Sequence, residues 1–484
     1  MINELTRKLA RFACLTAIVA AACLTGYAQT GKDPVIVIPG LEGTEILQRD
    51  GSHSWFSIRR AKTDDLRLPI TSPIFTRDRD SLKVGDIIRK VDVKILPDIE
   101  IYQAVIDALE SKGYTEATWT NPKATDAFYV FPYDWRRDNV ENAQLLIQRM
   151  QSVRTRLRKP NLKFNIIAHS MGGLIARYAA MYGSAEPPIS NPIPTWAGAA
   201  YINKLMLFGT PNEGSFAAFN GLLNGEPLVL GHKLPFVDDF RAEDVFTLPS
   251  VYELLPHQAN ARFLDDDLKP IQVDLYNPDT WFKYGWGALS DEKFLSKLKD
   301  AATLAKTNPD IKPKPFVKGN LDDKLISQTT FAQAKAFFVA ALLRAKRFAA
   351  ALDAPSKKQP VQMYLYGGNC ADTIDGAIIL KGEKDGDWDT VVSAKDVKSA
   401  AGRQFKKDEI RAAIYSLGDG RVTWSSLVNA DKPLTADSKI EFFGASYPLA
   451  SSLFTCSSHT KLLLEKPIQD SYLSALVVTK QAQP

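Results

Sequence analysis

The chain has 484 residues, of which 45% are hydrophobic and 24% are charged, and its formal net charge is +5. This is the composition of an ordinary globular protein, with enough length for one large core or for two domains. A net charge so close to neutral, without a dense basic run, argues against a nucleic-acid-binding protein.

The first 28 residues have the pattern of a secretory signal peptide. Arg7, Lys8 and Arg11 precede an uncharged run over 12–25, and the small-x-small sequence GYA follows at 26–28. Because the run is too short to span a bilayer, we expect cleavage near Ala28 and a secreted or periplasmic protein. Its mature chain would have a net charge of +3, since the segment carries three basic residues and one acidic residue. The alternatives are an uncut membrane anchor and a lipid anchor at Cys23, although AAA is a poor sequence to precede a lipidated cysteine.

Strands and helices alternate over the next part of the chain. Buried-strand patterns occur at 35–38, 128–131 and 204–208, and amphipathic helical patterns occur at 101–111 and 140–157. Residues 48–97 are irregular and rich in charge and turn residues. Such alternation predicts βαβ units and a mostly parallel sheet.

The stretch NIIAHSMGGLIARY at 165–178 places Ser170 where a strand pattern stops and a helix pattern starts. Ala168 and Gly172 are small, as the sharp turn of a nucleophile elbow requires. In such an elbow Ser170 is the nucleophile, and the N–H of Met171, at the start of the helix, is an oxyanion donor. The alternative is a plain strand-turn-helix connection with Ser170 as the N-cap.

Regular alternation stops after about residue 212. We interpret 213–360 as a cap inserted into the sheet domain, with helical patterns at 293–306 and 330–352. Strand character returns at 362–366, and a last amphipathic helix is predicted at 460–476. The predicted organisation is therefore a signal peptide at 1–28, a first core part at 29–212, the cap at 213–360 and a second core part at 361–484.

A nucleophilic serine needs a histidine as general base and a carboxylate that orients it. In this fold class the order along the chain is serine, acid, histidine. Of the five histidines, only His459 follows the returning strand. Elimination therefore selects His459, and the alternative is an ordinary surface histidine. We expect the side chain of His169 to point away from the site.

The residues alone leave the acid open between Asp419 and Asp372. Asp419 lies in the sequence GDGRV, whose glycines allow a tight turn, and Asp372 follows the returning strand directly. A simple hairpin turn would also explain the GDG sequence. For the second oxyanion donor we expect the N–H of Leu41, in the glycine-containing exit of the first strand.

Two cysteines remain after removal of the signal segment, Cys370 and Cys456. An even number in an exported chain predicts a disulfide between them, and two free thiols are the alternative. The acidic residues and histidines show no metal-ligand spacing, so we expect neither a metal nor another cofactor.

Several motifs occur in the order and approximate spacing of a known family: IPGLEGTEI (38–46), FPYDWRRD (131–138), AHSMGG (168–173), FGTPNEGS (208–215), GDGRV (418–422) and HTKLL (459–463). With them the chain resembles the lecithin:cholesterol acyltransferase family, which includes lysosomal phospholipase and phospholipid:diacylglycerol acyltransferase. The likeness runs from about residue 33 to the C-terminus and is weakest across 215–360. It implies an α/β-hydrolase fold, with a mostly parallel central sheet and an inserted cap.

The resemblance also implies roles for single residues. Ser170 matches the nucleophile, Asp419 the acid and His459 the base of the family, while Leu41 and Met171 match its oxyanion donors. The block at 133–136 resembles a structural element that ties a loop to the core. Two departures are visible: the region near Trp55 lacks the disulfide-closed apolar segment of the membrane-active members, and Arg421 replaces a small hydroxyl residue.

Together these features predict a serine acyl hydrolase or O-acyltransferase that acts on lipid esters of the phospholipid type. The alternatives are a carboxylesterase or triacylglycerol lipase with the same three residues, an amidase or peptidase, and a non-catalytic binding protein of the same fold. The expected partner is a lipid or another acyl ester. A peripheral contact with a lipid surface is compatible with that partner, and the sequence predicts no oligomeric state.

Overall fold

A computed structural model describes residues 31–55, 66–70, 80–91, 99–225, 240–257, 261–314, 324–356, 360–384, 386–428 and 449–477. The predicted signal peptide lies outside the described residues. Within them, no helix is long and apolar enough to cross a bilayer.

The structure contains strands in one large sheet and in several small ones. In chain order they are β1 Val35–Ile38, β2 Thr44–Leu47, β3 His53–Trp55, β4 Lys83–Ile87, β5 Lys90–Val91, β6 Ile99–Glu100, β7 Thr115–Glu116, β8 Ala127–Val130, β9 Phe164–His169, β10 Ile202–Phe208, β11 Arg262–Leu264, β12 Pro270–Ile271, β13 Gln362–Gly368, β14 Ala371–Ile374, β15 Gly376–Lys381, β16 Trp388–Val391, β17 Val397–Lys398, β18 Gln404–Phe405, β19 Tyr415–Gly418 and β20 Ser451–Thr455.

The helices lie between these strands. In chain order they are α1 Gln103–Ser111, α2 Asn139–Leu157, α3 Met171–Tyr182, α4 Phe216–Asn224, α5 Ala242–Val245, α6 Pro249–Tyr252, α7 Pro278–Lys283, α8 Glu292–Leu295, α9 Ala301–Leu304, α10 Phe331–Leu352, α11 Lys407–Ile414, α12 Trp424–Val428 and α13 Lys466–Val477.

The large sheet has seven strands in the order β20-β13-β10-β9-β1-β8-β7. Each neighbouring pair in it is parallel. Strands β1 and β9 lie at its centre and are buried along their whole length, which explains their continuous apolar sequences. The predicted mostly parallel sheet is thus confirmed. Because all seven strands run the same way, the loops after β1, β9, β13 and β20 emerge at one edge, where ligands of such sheets bind.

The segment between β10 and β13 packs through α10 against α3, one of the helices that flank the sheet. The ring of Phe348 stacks on Tyr178 of α3 with centroids 5.4 Å apart. Two further bonds join the same helices, because Tyr182 and Arg177 donate to the carbonyl oxygens of Ala351 and Leu352. Inside the segment, Phe219 lies 4.9 Å from Trp286 between ring centroids. The segment therefore has its own aromatic core, continuous with the core of the sheet.

Two predicted helices differ from the observed ones for identifiable reasons. The single helix predicted at 293–306 is broken into α8 and α9, because the N–H of Lys299 bonds to the carbonyl oxygen of Thr329 instead of to its own helix. The last helix starts at Lys466 rather than at 460, after a 3₁₀ turn over Leu462–Leu464. Pro467 fits the first helical turn, where no intrahelical N–H bond is needed.

Candidate active site

Ser170 lies at the junction of β9 and α3 with a strained backbone. Its φ is 54° and its ψ is −126°, a conformation that residues with a side chain rarely adopt. The serine N–H donates to the carbonyl oxygen of Phe208 at 2.7 Å, so the neighbouring strand holds the turn in place. This is the backbone geometry of a nucleophile elbow.

Small residues allow the elbow to pack against both neighbouring loops. A Cβ atom at Gly172 would overlap the carbonyl oxygen of Pro39, and one at Gly173 would overlap the side chain of Thr210. The loops after β1 and β10 therefore press directly on the first turn of α3. The glycine pair of the HSMGG motif is required by this close approach.

Three side chains that are far apart in the sequence converge at the carboxyl edge of the sheet. The Nε2 atom of His459 is 2.9 Å from Ser170 Oγ, and its Nδ1 atom is 2.7 Å from Asp419 Oδ2. His459 is 8% exposed and Asp419 is 1% exposed. A carboxylate, an imidazole and a hydroxyl in this order can move a proton from the hydroxyl to the ring.

The Asp419 carboxylate is held by backbone donors of its own turn. Its Oδ1 atom accepts hydrogen bonds from the N–H groups of Arg421 at 3.0 Å and Val422 at 2.8 Å. The N–H of His459 donates to the Asp419 carbonyl oxygen at 2.8 Å. The other candidate acid, Asp372, lies on the surface and pairs with Arg411, so it does not reach the site.

The predicted disulfide between Cys370 and Cys456 is confirmed, with a Cα–Cα distance of 5.1 Å. The two cysteines lie just after the adjacent strands β13 and β20. Residue 459 follows Cys456 by only three positions. The disulfide therefore ties the histidine loop to the sheet edge.

The loop after β1 approaches the elbow from the other side. Tyr133 donates to the Pro39 carbonyl oxygen at 2.9 Å, and Trp135 donates to that of Thr44 at 3.0 Å. The block at 133–136 thus holds this loop, in line with its expected structural role. Leu41 lines the cavity beside Ser170. Met171 is the first residue of α3, where an N–H group has no intrahelical partner.

The expectation that His169 points away from the site is wrong. Its buried ring lies beside His459, with centroids 4.8 Å apart. Its Nε2 atom is 3.1 Å from the His459 carbonyl oxygen, and its Nδ1 atom is 3.0 Å from the hydroxyl of Tyr102. Burial, and then the neighbouring His459, lower the pKa of His169 to about 3. Nothing in the local sequence signals these contacts, because Tyr102 is 67 positions away.

A cavity of about 100 Å³ opens above Ser170 and His459. Its wall is mostly apolar and includes Leu41, Trp135, Phe240, Val245, Leu248, Val251, Leu254 and Val422. The charged residues Glu42 and Arg421 also line it. Two of these wall residues, Phe240 and Leu248, also belong to the buried hydrophobic core.

Several solved structures, two of them lipases, resemble the chain at low sequence identity. The Tle4–Tli4 complex structure matches with 13% identity, 94% coverage of this chain, 100% of that chain and a TM-score of 0.45. Lipase BlEst2 of Bacillus licheniformis matches with 10% identity, coverages of 94% and 95% and a TM-score of 0.33. Lipase 1 of Pelosinus fermentans matches with 10% identity, coverages of 93% and 100% and a TM-score of 0.34. No curated protein matches the sequence.

The parallel sheet, its flanking helices and the elbow after β9 define an α/β-hydrolase. The family profile for lecithin:cholesterol acyltransferase matches residues 89–427, which is more than half of the chain. The protein belongs to this family, as the sequence motifs predicted. It is therefore an acyl hydrolase or acyltransferase of lipid esters.

Proposed function

We propose that the protein is a secreted or periplasmic serine acyl hydrolase or O-acyltransferase that takes its acyl group from a phospholipid-type ester. The observation that carries the proposal is the 2.9 Å contact between His459 Nε2 and Ser170 Oγ at the bottom of an apolar cavity. Export is supported by the N-terminal sequence pattern and by the disulfide between Cys370 and Cys456, since disulfides persist in oxidising compartments.

In the first half of the reaction, Ser170 Oγ attacks the ester carbonyl carbon while its proton passes to His459 Nε2. Asp419 keeps the ring in the tautomer that can accept this proton and stabilises the imidazolium. The N–H groups of Leu41 and Met171 bind the oxyanion, each worth on the order of 3 kcal/mol. The C–O bond to the leaving alcohol then breaks, the alcohol takes the proton from His459, and an acyl-enzyme remains on Ser170.

In the second half, an acceptor hydroxyl attacks the acyl-enzyme. The acceptor gives its proton to His459, the bond to Ser170 Oγ breaks, and the proton returns to the serine. Water as acceptor releases a free fatty acid, whereas an alcohol yields a new ester. The apolar wall of the cavity favours an aliphatic acyl chain, because burying it removes apolar surface from water.

The phospholipid class of the acyl donor is supported by Arg421, which lines the same cavity. A guanidinium is planar and carries several N–H donors, so it binds phosphate oxygens in pairs. A phosphodiester lies only a few bonds from the scissile ester of a phospholipid. A triacylglycerol or a simple carboxylic ester offers no such anion.

The test is to incubate the protein with phosphatidylcholine that carries a labelled acyl chain, with and without a fatty alcohol or a sterol. We expect labelled fatty acid without the alcohol and some labelled ester in its presence, and neither product from the Ser170→Ala variant. Turnover of short p-nitrophenyl esters without any release from phospholipid would instead identify a carboxylesterase.

A further inference from the structure

Two side chains that take no part in the proposed reaction connect the two sides of the site. His169 precedes the serine, and Tyr102 lies just before α1. The Tyr102 oxygen is 2.7 Å from the N–H of Gly40 and 3.0 Å from His169 Nδ1, while His169 Nε2 is 3.1 Å from the His459 carbonyl oxygen. Both side chains are buried, with 1% and 5% exposure.

The chemistry of the end groups fixes where the protons lie. A carbonyl oxygen only accepts, so the Nε2 atom of His169 carries the hydrogen. In a neutral imidazole the other nitrogen is then an acceptor, and Tyr102 must donate its hydroxyl hydrogen to Nδ1. The Tyr102 oxygen in turn accepts from the N–H of Gly40. The result is one chain of three hydrogen bonds running from Gly40 through Tyr102 and His169 to His459.

Burial keeps the groups in this series of hydrogen bonds in one protonation state. The pKa of His169 is lowered to about 3, first by burial and then by the neighbouring His459, so the ring remains neutral at ordinary pH. Burial also raises the pKa of the Tyr102 hydroxyl. Neither side chain changes its donor and acceptor pattern at any pH at which a lipase-like enzyme works.

The two ends of this series of hydrogen bonds are parts of the reaction machinery. Gly40 precedes the oxyanion donor Leu41, and a Cβ atom at Gly40 would come within 2.8 Å of Ser170 Cβ. At the other end, His459 donates its N–H to Asp419 and receives the His169 hydrogen bond on its carbonyl oxygen. The backbone of His459 is thus held by Asp419 on one side and by His169 on the other.

We propose that Tyr102 and His169 are positioning residues. They fix the distance between the loop after β1, which carries Gly40 and Leu41, and the loop after β20, which carries His459. Tyr102 acts through Gly40, and His169 acts through the backbone and the adjacent ring of His459. The inference rests on the proposed function of Ser170. A displacement of about 1 Å in such a site can cost roughly a hundred-fold in rate.

Three variants separate positioning from packing. His169→Leu replaces the imidazole by an apolar side chain of similar bulk that cannot donate to His459. His169→Gln instead places an amide N–H where the Nε2–H of the histidine lies. Tyr102→Phe removes only the hydroxyl. We expect His169→Leu and Tyr102→Phe to lower kcat by roughly ten- to a hundred-fold with KM changed by less than about three-fold, and His169→Gln to recover at least about ten-fold over His169→Leu.

The rate at which a fluorophosphonate labels Ser170 gives a second readout that needs no lipid substrate. It should fall in His169→Leu and recover in His169→Gln, even if phospholipid proves to be the wrong acyl donor. Tyr114→Phe is the matched control, because Tyr114 is also a buried tyrosine and its hydroxyl has no hydrogen-bond partner among the described residues. Wild-type labelling by His169→Leu and Tyr102→Phe, or a Gln variant as slow as the Leu variant, would overturn the proposal.

Discussion

The backbone strain of the site is concentrated at the elbow, in the residue that carries the nucleophile. Ser170 keeps a positive φ although it carries a side chain, and such strain persists only where the surroundings impose it. Here the bond from its N–H to the carbonyl oxygen of Phe208 does so, and Gly40 packs so closely that a Cβ atom added there would come within 2.8 Å of Ser170 Cβ. The hydroxyl is consequently presented to His459 before any substrate arrives.

Arg421 is the residue at which substrate selection can be tested. Its backbone N–H holds Asp419, and its side chain lines the cavity. Arg421→Thr keeps the backbone N–H that bonds to Asp419 and removes the guanidinium together with its contacts. We expect kcat/KM for phosphatidylcholine to fall by roughly ten- to a hundred-fold, since a charge-assisted hydrogen bond contributes roughly 1.5–3 kcal/mol.

The control substrate is a neutral ester with the same acyl chain, such as a triacylglycerol presented in the same vesicles. Its kcat/KM should change by less than about two-fold. An equal loss for both substrates would show that Arg421 supports the Asp419 turn rather than binding the phosphate.

At the scale of elements, the sequence predicted the central strands and the two longest helices to within about two residues. The strand predicted at 35–38 is β1, and the helix predicted at 330–352 is α10, which starts at Phe331. Their apolar periods are long and uninterrupted, so local pattern and tertiary burial agree. The small sheets were missed because their strands are short, with three residues in β11 and two in β12, and because β11 also pairs with the distant strand β15.

In the candidate site, too, a local sequence pattern predicts some residues and cannot predict others. Ser170 is predictable because the strand, the small residues and the helix are contiguous, and His459 because few histidines compete for the role. The choice between Asp419 and Asp372 is not local, since it depends on which turn meets the histidine loop in space. The contacts of His169 with Tyr102 are likewise beyond a sequence pattern.

The disulfide can be tested as a connection between two elements. The loop that it closes spans a sequence separation of 86 residues. Replacing Cys370 and Cys456 by alanine should lower the free energy of unfolding by about 2–5 kcal/mol, because the unfolded chain regains its freedom. It should also lower kcat, because the histidine loop loses its tie to β13.

Urea unfolding followed by circular dichroism measures the first effect, and single-turnover acylation measures the second. Wild-type protein treated with a reductant serves as the control and should behave like the double variant. An unchanged unfolding midpoint would mean that the sheet edge is held without the disulfide.

For the whole molecule, a buried carboxylic acid where the inserted segment meets the core makes stability depend on pH. Glu253 is 3% exposed and accepts the N–H of Asn139 at 2.7 Å. Burial, and then the negative charge of Asp138, raise the pKa of Glu253 well above its ordinary value. The folded state therefore favours the protonated acid.

The sign of the pH effect follows from linkage. Above the ordinary glutamate pKa the unfolded chain releases its proton while the folded chain retains it. Stability from this group is thus present at low pH and is lost as pH rises toward the folded pKa, by up to about 1.4 kcal/mol per pH unit. Glu253→Gln, which can still accept from Asn139, should gain stability over the wild type as pH rises.

Urea unfolding of both proteins at pH 5 and at pH 8 measures this difference. The stability advantage of Glu253→Gln should be larger at pH 8 by at least about 1 kcal/mol. An advantage that does not change between the two values would show that Glu253 is ionised in the folded protein throughout this range.

Whether Ser170 is an activated nucleophile can be tested by treating the protein with a fluorophosphonate and locating the adduct by peptide mass spectrometry. We expect one stoichiometric adduct on Ser170, absent in Ser170→Ala and formed far more slowly in His459→Gln and Asp419→Asn. A folded protein that forms no adduct, or one that carries it on another residue, would contradict the claim that His459 and Asp419 activate Ser170.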